Sequence, residues 1–155
     1  MSKRESQGRP PPTRLLRRLF DHQRWLNTDG RFGAQLVESE LEIVNCDLAG
    51  VNFSRAEIDY AYFAGGTVKG ATFRGTFLYN ATFDACDVED ADFTDANLSW
   101  ANFLTNHEKA RLDGADVTRT AWNKAQMKQN DEDDRSSARR PRDKVWPRDN
   151  KIEPR

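Results

Sequence analysis

Six carboxylates, Asp84, Asp87, Glu89, Asp90, Asp92 and Asp95, crowd into twelve residues of this chain. Such a group could pass protons or hold a hard cation, but only where a cleft perturbs its pKa values or converges its oxygens. Elsewhere the chemistry is sparse. His22 and His107 stand alone, with no metal-ligand spacing around either. There is no phosphate-cradling glycine loop and no nucleophile elbow. Cys46 and Cys86 are too few for a disulfide framework or a zinc site. The expectation is therefore no enzyme, no cofactor and no metal. Aromatic residues are the other reactive surface: Tyr60, Tyr62, Phe77, Tyr79 and Trp100 fall off the chain's apolar beat, described next.

That beat has a period of five. From residue 41 the chain divides into LEIVN, CDLAG, VNFSR, AEIDY, AYFAG, GTVKG, ATFRG, TFLYN, ATFDA, CDVED, ADFTD, ANLSW and ANFLT. Every third position is large and apolar, from Ile43 and Leu48 to Leu98 and Phe103, and the first positions are mostly small. Five matches neither a helix face nor a strand face. First and third residues lie two apart, so both can point to one side of a short extended segment. The last two residues, often Gly, Asn or Asp, can turn a corner. A chain that turns the same way every five residues winds into a coil filled by its own side chains. After Asn106–Lys109 the beat resumes as ARLDG, ADVTR and TAWNK, one residue short. The expectation is a bulge or corner change there, with His107 lying in the break.

ADFTD, ANLSW, ANFLT and ADVTR resemble the A-(D/N)-L/F-x-x consensus of the pentapeptide-repeat family, over residues 41–124. The resemblance implies an all-β solenoid, a right-handed quadrilateral β-helix with four pentapeptides per coil. It also likens residues 22–36 to the short helix and turn that precede the repeats in bacterial members. Some members act on DNA gyrase as duplex mimics and so confer quinolone resistance.

The ends differ from the middle. Residues 1–35 carry 8 Lys/Arg against 3 Asp/Glu, residues 36–124 carry 7 against 15, and residues 125–155 carry 9 against 7. The expected layout is a flexible basic arm at 1–12, a capping helix and turn at 13–35, the solenoid at 36–124 with its break at 106–109, and a charged, disordered tail at 125–155. Thr13 is expected as the helix N-cap, with Asp29 and Gly30 as the stop. Leu15, Leu16, Leu19, Phe20 and Leu26 should form one apolar stripe. His22 belongs to the junction between helix and solenoid. Only 37% of residues are hydrophobic, and no apolar run approaches a membrane span. The start of the chain has no secretory h-region, so the expectation is a cytoplasmic protein without a membrane partner.

Four pentapeptides per coil put residues 20 apart in one column, which turns the sequence into a surface map. Tyr60 and Trp100 then share a corner column with Asn80; Phe77 and Tyr79 lie on the face before it and Tyr62 on the face after. This aromatic corner is the expected contact for a protein partner or a second copy; the alternative is that a terminal segment folds back and covers it. Asp84 to Asp95 form an acidic patch on adjoining faces, with Lys69 under Glu89 and Arg55 in the column of Asp95. Cys46 and Cys86 share a column roughly 10 Å apart, too far to bond. Four coils span about 20 Å, roughly six base pairs, which is short for a duplex mimic of gyrase unless the protein dimerises. A homodimer is therefore one option. Nucleic-acid contact through the basic ends, by Arg14, Arg17, Arg18 and Arg24 with Arg139, Arg140, Arg142, Lys144 and Arg148, is another. Trp146 is the expected anchor of the tail.

Overall fold

The computed structural model describes residues 8–122; the expected tail and its anchor Trp146 lie outside them. The chain order is one helix, α1 (Thr13–Asn27), then the strands β1 (Glu42–Val44), β2 (Tyr62–Ala64), β3 (Thr82–Asp84) and β4 (Asn102–Leu104). The four strands form one parallel sheet in sequential order. Each pairs in a register of 20, with Ile43 opposite Phe63, Phe63 opposite Phe83 and Phe83 opposite Phe103.

Single bridges mark three more faces at the same spacing. Val37, Glu57, Phe77 and Asn97 define face I; Asp47, Thr67 and Asp87 define face III; Asn52, Thr72 and Asp92 define face IV. The strands form face II. The chain is thus a right-handed quadrilateral β-helix with four pentapeptides to the coil, as the resemblance implied.

Every fifth residue from 40 to 100 has a positive φ, including Glu40, Gly50, Arg55, Tyr60, Asn80, Asp90, Asp95 and Trp100. On three corners of the coil, the N–H of the next first residue bonds the carbonyl of the third, as Ala56 does to Phe53 (3.0 Å) and Ala81 to Leu78 (3.0 Å). A positive φ at the third residue of a hydrogen-bonded β-turn is the type II arrangement. The fourth corner, after face II, has no such bond. There the backbone of Gly66 passes so close to the coil beneath that a Cβ would sit 2.2 Å from the Cys46 carbonyl oxygen. Glycine is required at that place.

The core is a pair of phenylalanine columns. Phe53, Phe73 and Phe93 stack under face IV at 4.8 Å spacing, and Phe63, Phe83 and Phe103 stack under face II at 4.7 and 4.8 Å. Between columns the rings meet edge to face, as Phe73 and Phe83 do at 87°. The parallel spacing is the coil repeat itself, and the perpendicular contacts are the arrangement that ring quadrupoles prefer. Leu48, Ile58, Val68, Leu78, Val88 and Leu98 fill the other two sides. Ala56, Ala61, Ala71, Ala81 and Ala91 are also buried, so a large first residue would collide with this core.

The missing residue is visible as a change of offset, from 20 up to Asn102 to 19 at Asp92–Arg111, Asn97–Asp116 and Asn102–Ala121. His107 does not interrupt the core. It is buried, stacks on Trp122 at 4.3 Å and accepts the Ala110 N–H in the turn that third-place residues make. The deletion is absorbed around it, between Leu104 and Ala110.

Helix α1 closes the N-terminal end, with differences from its sequence reading. Its N-cap is Pro12, and no side chain caps it; Thr13 is the first helical residue. Leu15 and His22 are buried and Leu19 packs partly, whereas Leu16 and Phe20 face outward at 46% and 64% exposure. The inward face therefore runs i, i+4, i+7 from Leu15, and His22 takes a place the apolar stripe assigned to leucines. Asp29 and Gly30 end the helix with positive φ, as expected. His22 fixes the junction: its Nδ1 accepts the Leu36 N–H (2.9 Å), so its Nε2 carries the proton and donates to the Ser54 carbonyl (3.0 Å). Arg9, in the expected arm, is laid onto the first coil of face III, donating its N–H to Asn45 and accepting that of Asp47, each at 2.8 Å. Among the described residues no helix is long and apolar enough to cross a membrane.

Candidate interaction surface

Faces I and II meet at the column Glu40, Tyr60, Asn80, Trp100, and the aromatic residues gather around it. The Tyr60 and Tyr79 rings meet edge to face at 5.7 Å, and Tyr79 stacks on Phe77 at 6.2 Å. Tyr60, Tyr62 and Trp100 are exposed; Phe77 and Tyr79 are half-buried. Trp100 carries the guanidinium of Arg119 over its ring at 5.0 Å, a contact the 19-residue offset creates. The Tyr62 hydroxyl donates to Asp84 (3.1 Å), and this bond, with the charge it brings near, raises the pKa of the phenol. The structure thus brings Tyr60, Phe77 and Tyr79 into one chain of ring contacts. It leaves Trp100 and Tyr62 as separate members, each engaged with a charged neighbour.

The register also reveals carboxylates around this corner that the search for aromatics passed over. Glu57 pairs with Phe77, Glu42 lies opposite Tyr62, and Asp116 pairs with Asn97 one coil beyond Phe77. Asp59 precedes Tyr60, and Glu40 occupies the corner column one coil before it. Among the described residues, none of Glu40, Glu42, Glu57, Asp59, Asp84 and Asp116 makes an ion pair. Arg119 is, among the described residues, the one Lys or Arg in the coils of these two faces and their shared corner; Arg14 and Arg18 of α1 reach Glu38 and the Val37 carbonyl at the N-terminal end of face I. Counting back 20 residues from each aromatic would have found Glu40, Glu42, Glu57 and Asp59.

The acidic patch on faces III and IV is differently built. Glu89 lies between Lys69 (3.0 Å) and Lys109 (2.9 Å), whose hydrogen bonds and charges take its carboxyl down to about 2. Burial pushes Asp92 upward, but bonds from Thr94 and Arg74 outweigh it and the carboxyl stays below its ordinary value. Asp87 caps a local turn by accepting the Glu89 N–H (2.9 Å). Asp90 and Asp95 hold left-handed corners. Asp84 is the member that faces the aromatic corner, through Tyr62. No group of His, Cys, Asp and Glu among the described residues is placed to hold a metal ion.

The remaining reactive residues are packing elements. Cys46 and Cys86 are free and buried in first places, and burial pushes the Cys86 thiol up to about 12, far from a reactive thiolate. Arg55 sits over Trp25 at 4.7 Å and belongs to the cap junction.

A coil of pentapeptides with this register defines a class of protein, and the sequence comparison agrees. Eight copies of the family model "Pentapeptide repeats" match residues 44–75 and 78–103. Residues 44–103 of the chain are thus built from the repeats that this family model describes. Among solved structures it is similar to HetL, a pentapeptide repeat protein involved in heterocyst differentiation regulation from the cyanobacterium Nostoc sp. strain PCC 7120. Identity is 22% and the TM-score 0.51, over 63% of this chain and 42% of that one. The chain thus spans less than half the length of HetL, and at this identity the likeness concerns the fold. A pentapeptide repeat protein of the Arabidopsis thaliana thylakoid lumen matches at 24% identity and TM-score 0.35, over 59% of this chain and 71% of that one. QnrB1, a plasmid-mediated fluoroquinolone resistance protein, matches at 14% and 0.29, over 68% and 72%. No curated protein matches the chain.

Proposed function

We propose that the protein is a non-enzymatic interaction module that contacts a protein partner through Tyr60, Tyr62, Phe77, Tyr79 and Trp100, as a component of a larger assembly. The observation that carries this reading is the placement of Tyr60 and Trp100, 46% and 47% exposed, at corner residues with φ of 61° and 63°. Left-handed backbone costs a bulky L-residue about 1–2 kcal/mol, and the contacts of Tyr60 with Tyr79 and of Trp100 with Arg119 do no more than offset it. Bulky aromatics kept at such places are a mark of surfaces used for binding. Affinity capture from the native host tests it, with the captured protein identified by mass spectrometry. Replacing Tyr79 and Trp100 together by Ala should abolish capture while circular dichroism stays unchanged; undiminished capture overturns the reading.

A duplex mimic directed at gyrase is supported by the excess of carboxylates on the solenoid, but Lys69, Arg74 and Lys109 neutralise Glu89 and Asp92 of the patch that would have to imitate phosphates. A supercoiling assay at micromolar protein separates the two, since the interaction-module reading expects no inhibition. Contact with nucleic acid through the basic ends predicts retention on immobilised duplex that falls steeply with salt. We place the protein in the cytoplasm, where such an assembly would be met.

A further inference from the structure

Around the aromatic corner, carboxylates stand on faces that bear few cations of their own. Glu40, Glu42, Glu57, Asp59, Asp84 and Asp116 surround it; among the described residues Arg119 is the one cation these faces carry in their own coils, and Arg14 and Arg18 of α1 reach only the N-terminal end of face I, at Glu38 and Val37. Clustered carboxylates raise the local concentration of cations, and aromatic faces add a specific place for a guanidinium. The molecule uses that contact twice already, with Arg55 over Trp25 and Arg119 over Trp100. The Tyr60–Tyr79 pair has no cation over it among the described residues. Face I and face II have their ladder bonds made between coils, so an added strand has no place there; what the corner offers is side-chain recognition.

The described chain ends at Trp122, which stacks on Phe103 beneath face II, so the continuing chain sets out from one of the two faces that form the corner. Seventeen residues further on comes RRPRDKVWPR, residues 139–148, with five Lys/Arg against one Asp, two prolines and Trp146. Seventeen residues can reach up to roughly 55–60 Å, more than the rod requires. The acidic stretch Asp131–Asp134 precedes this segment, and the carboxylates of the corner would repel it.

We propose that residues 139–148 of this chain dock on the aromatic corner of the same molecule, with arginines over the tyrosine pair and opposite the unpaired carboxylates. The proposal rests on the reading of the corner as an interaction surface and adds its occupant: a partner then competes with the chain's own segment. Low-entropy, proline-containing segments on aromatic surfaces follow a known recognition mode.

The test uses the full chain with Ser137→Cys carrying a nitroxide label, since Cys46 and Cys86 are buried and the introduced thiol is the accessible one. The expected result is loss of most of the Trp100 indole N–H signal relative to the reduced label, independent of protein concentration. Arg139→Glu, Arg140→Glu and Arg142→Glu together should restore the signal. A Trp100 signal unaffected by the label overturns the proposal. So does broadening seen only when labelled and isotope-enriched molecules are mixed, which assigns the segment to a second copy. Should the label fail while Tyr79→Ala with Trp100→Ala still abolishes partner capture, the occupant is wrong and the corner reading stands. Should capture also survive the double variant, both fall.

Discussion

The same backbone place is filled in two opposite ways on this rod. At the corners flanking the acidic patch, the left-handed residues include Asp90 and Asp95, with φ of 58° each. Short polar side chains tolerate this region because they can bond locally. At the corner between faces I and II, Tyr60 and Trp100 occupy the equivalent place, where local physics disfavours them. The charges differ in the same sense. Around the patch, Glu89 and Asp92 are closed by Lys69, Lys109 and Arg74; around the aromatic corner no carboxylate has such a partner among the described residues. One surface is solved as folding would solve it. The other departs from that solution twice, in backbone and in charge, which is where a binding role is to be sought.

Removing what both surfaces share should have the largest effect. Phe73 stacks between Phe53 and Phe93 and meets Phe63 and Phe83 edge-on. Phe73→Ala should cost roughly 3–5 kcal/mol, read as a lower denaturant midpoint. Both surfaces should disappear in one transition. Survival of one without the other would show that they do not belong to one cooperative rod.

The next effect separates the cap from both surfaces. His22→Ala leaves the Leu36 N–H and the Ser54 carbonyl without their partner inside the junction, at roughly 2–4 kcal/mol. The intact junction should also be pH-sensitive. Burial, the largest cause, and the charge of Arg55 hold His22 below its ordinary 6.5, against the opposing bond to Ser54; burial likewise lowers His107. A histidine whose folded pKa is lowered binds its proton more readily when unfolded. Its contribution is therefore complete above pH 6.5 and is lost as pH falls from there toward the folded value. Denaturant midpoints between pH 7.5 and 5 should fall, and His22→Ala should flatten the part that His22 supplies. A midpoint rising toward pH 5 would contradict the neutral tautomer assigned here.

How much of this was legible beforehand follows from what repeats and what does not. The coil, the Phe columns and the corner columns were readable because every fifth residue must fit the same interior. Even the dropped residue was visible after Phe103. The path around it was not, because His107 resembles no core residue by type, yet a neutral imidazole stacked on Trp122 fills an apolar place. Leu16 and Phe20 were misread for a related reason: a helix with two apolar edges does not say which edge meets the coil, and His22 decided it. The open carboxylates at the aromatic corner escaped notice because charge was counted along the chain and not up the columns.

The corner strain gives a smaller and more pointed test of the opening comparison. Ala85 holds φ 54° with no ring or ion pair to offset it, so Ala85→Asn should gain about 1 kcal/mol. Asp90→Asn, at a place already suited to its residue, should change stability little. Trp100→Asn relieves a similar strain but gives up the Arg119 contact, worth about 0.5–1 kcal/mol. These terms nearly cancel, so Trp100→Asn should lose partner capture at nearly constant stability. A large loss of stability would make Trp100 a structural residue and remove the contrast with Asp90.

The smallest expected effect lies at the best-paired carboxylate. Glu89 is held at about 2 by Lys69 and Lys109, so it should stay ionised in a carboxyl titration long after ordinary glutamates have protonated. A lowered folded pKa means that its contribution is present above the unfolded value of 4.5 and is lost as pH falls toward 2. Yet all three side chains reach solvent, where screening and side-chain entropy consume most of what an ion pair offers. Glu89→Gln should therefore leave the denaturant midpoint almost unmoved at neutral pH. It should equally leave partner capture intact, because the charges it releases lie on faces III and IV. Capture lost with Glu89→Gln and kept with Tyr79→Ala and Trp100→Ala would invert the comparison, making the paired surface the working one.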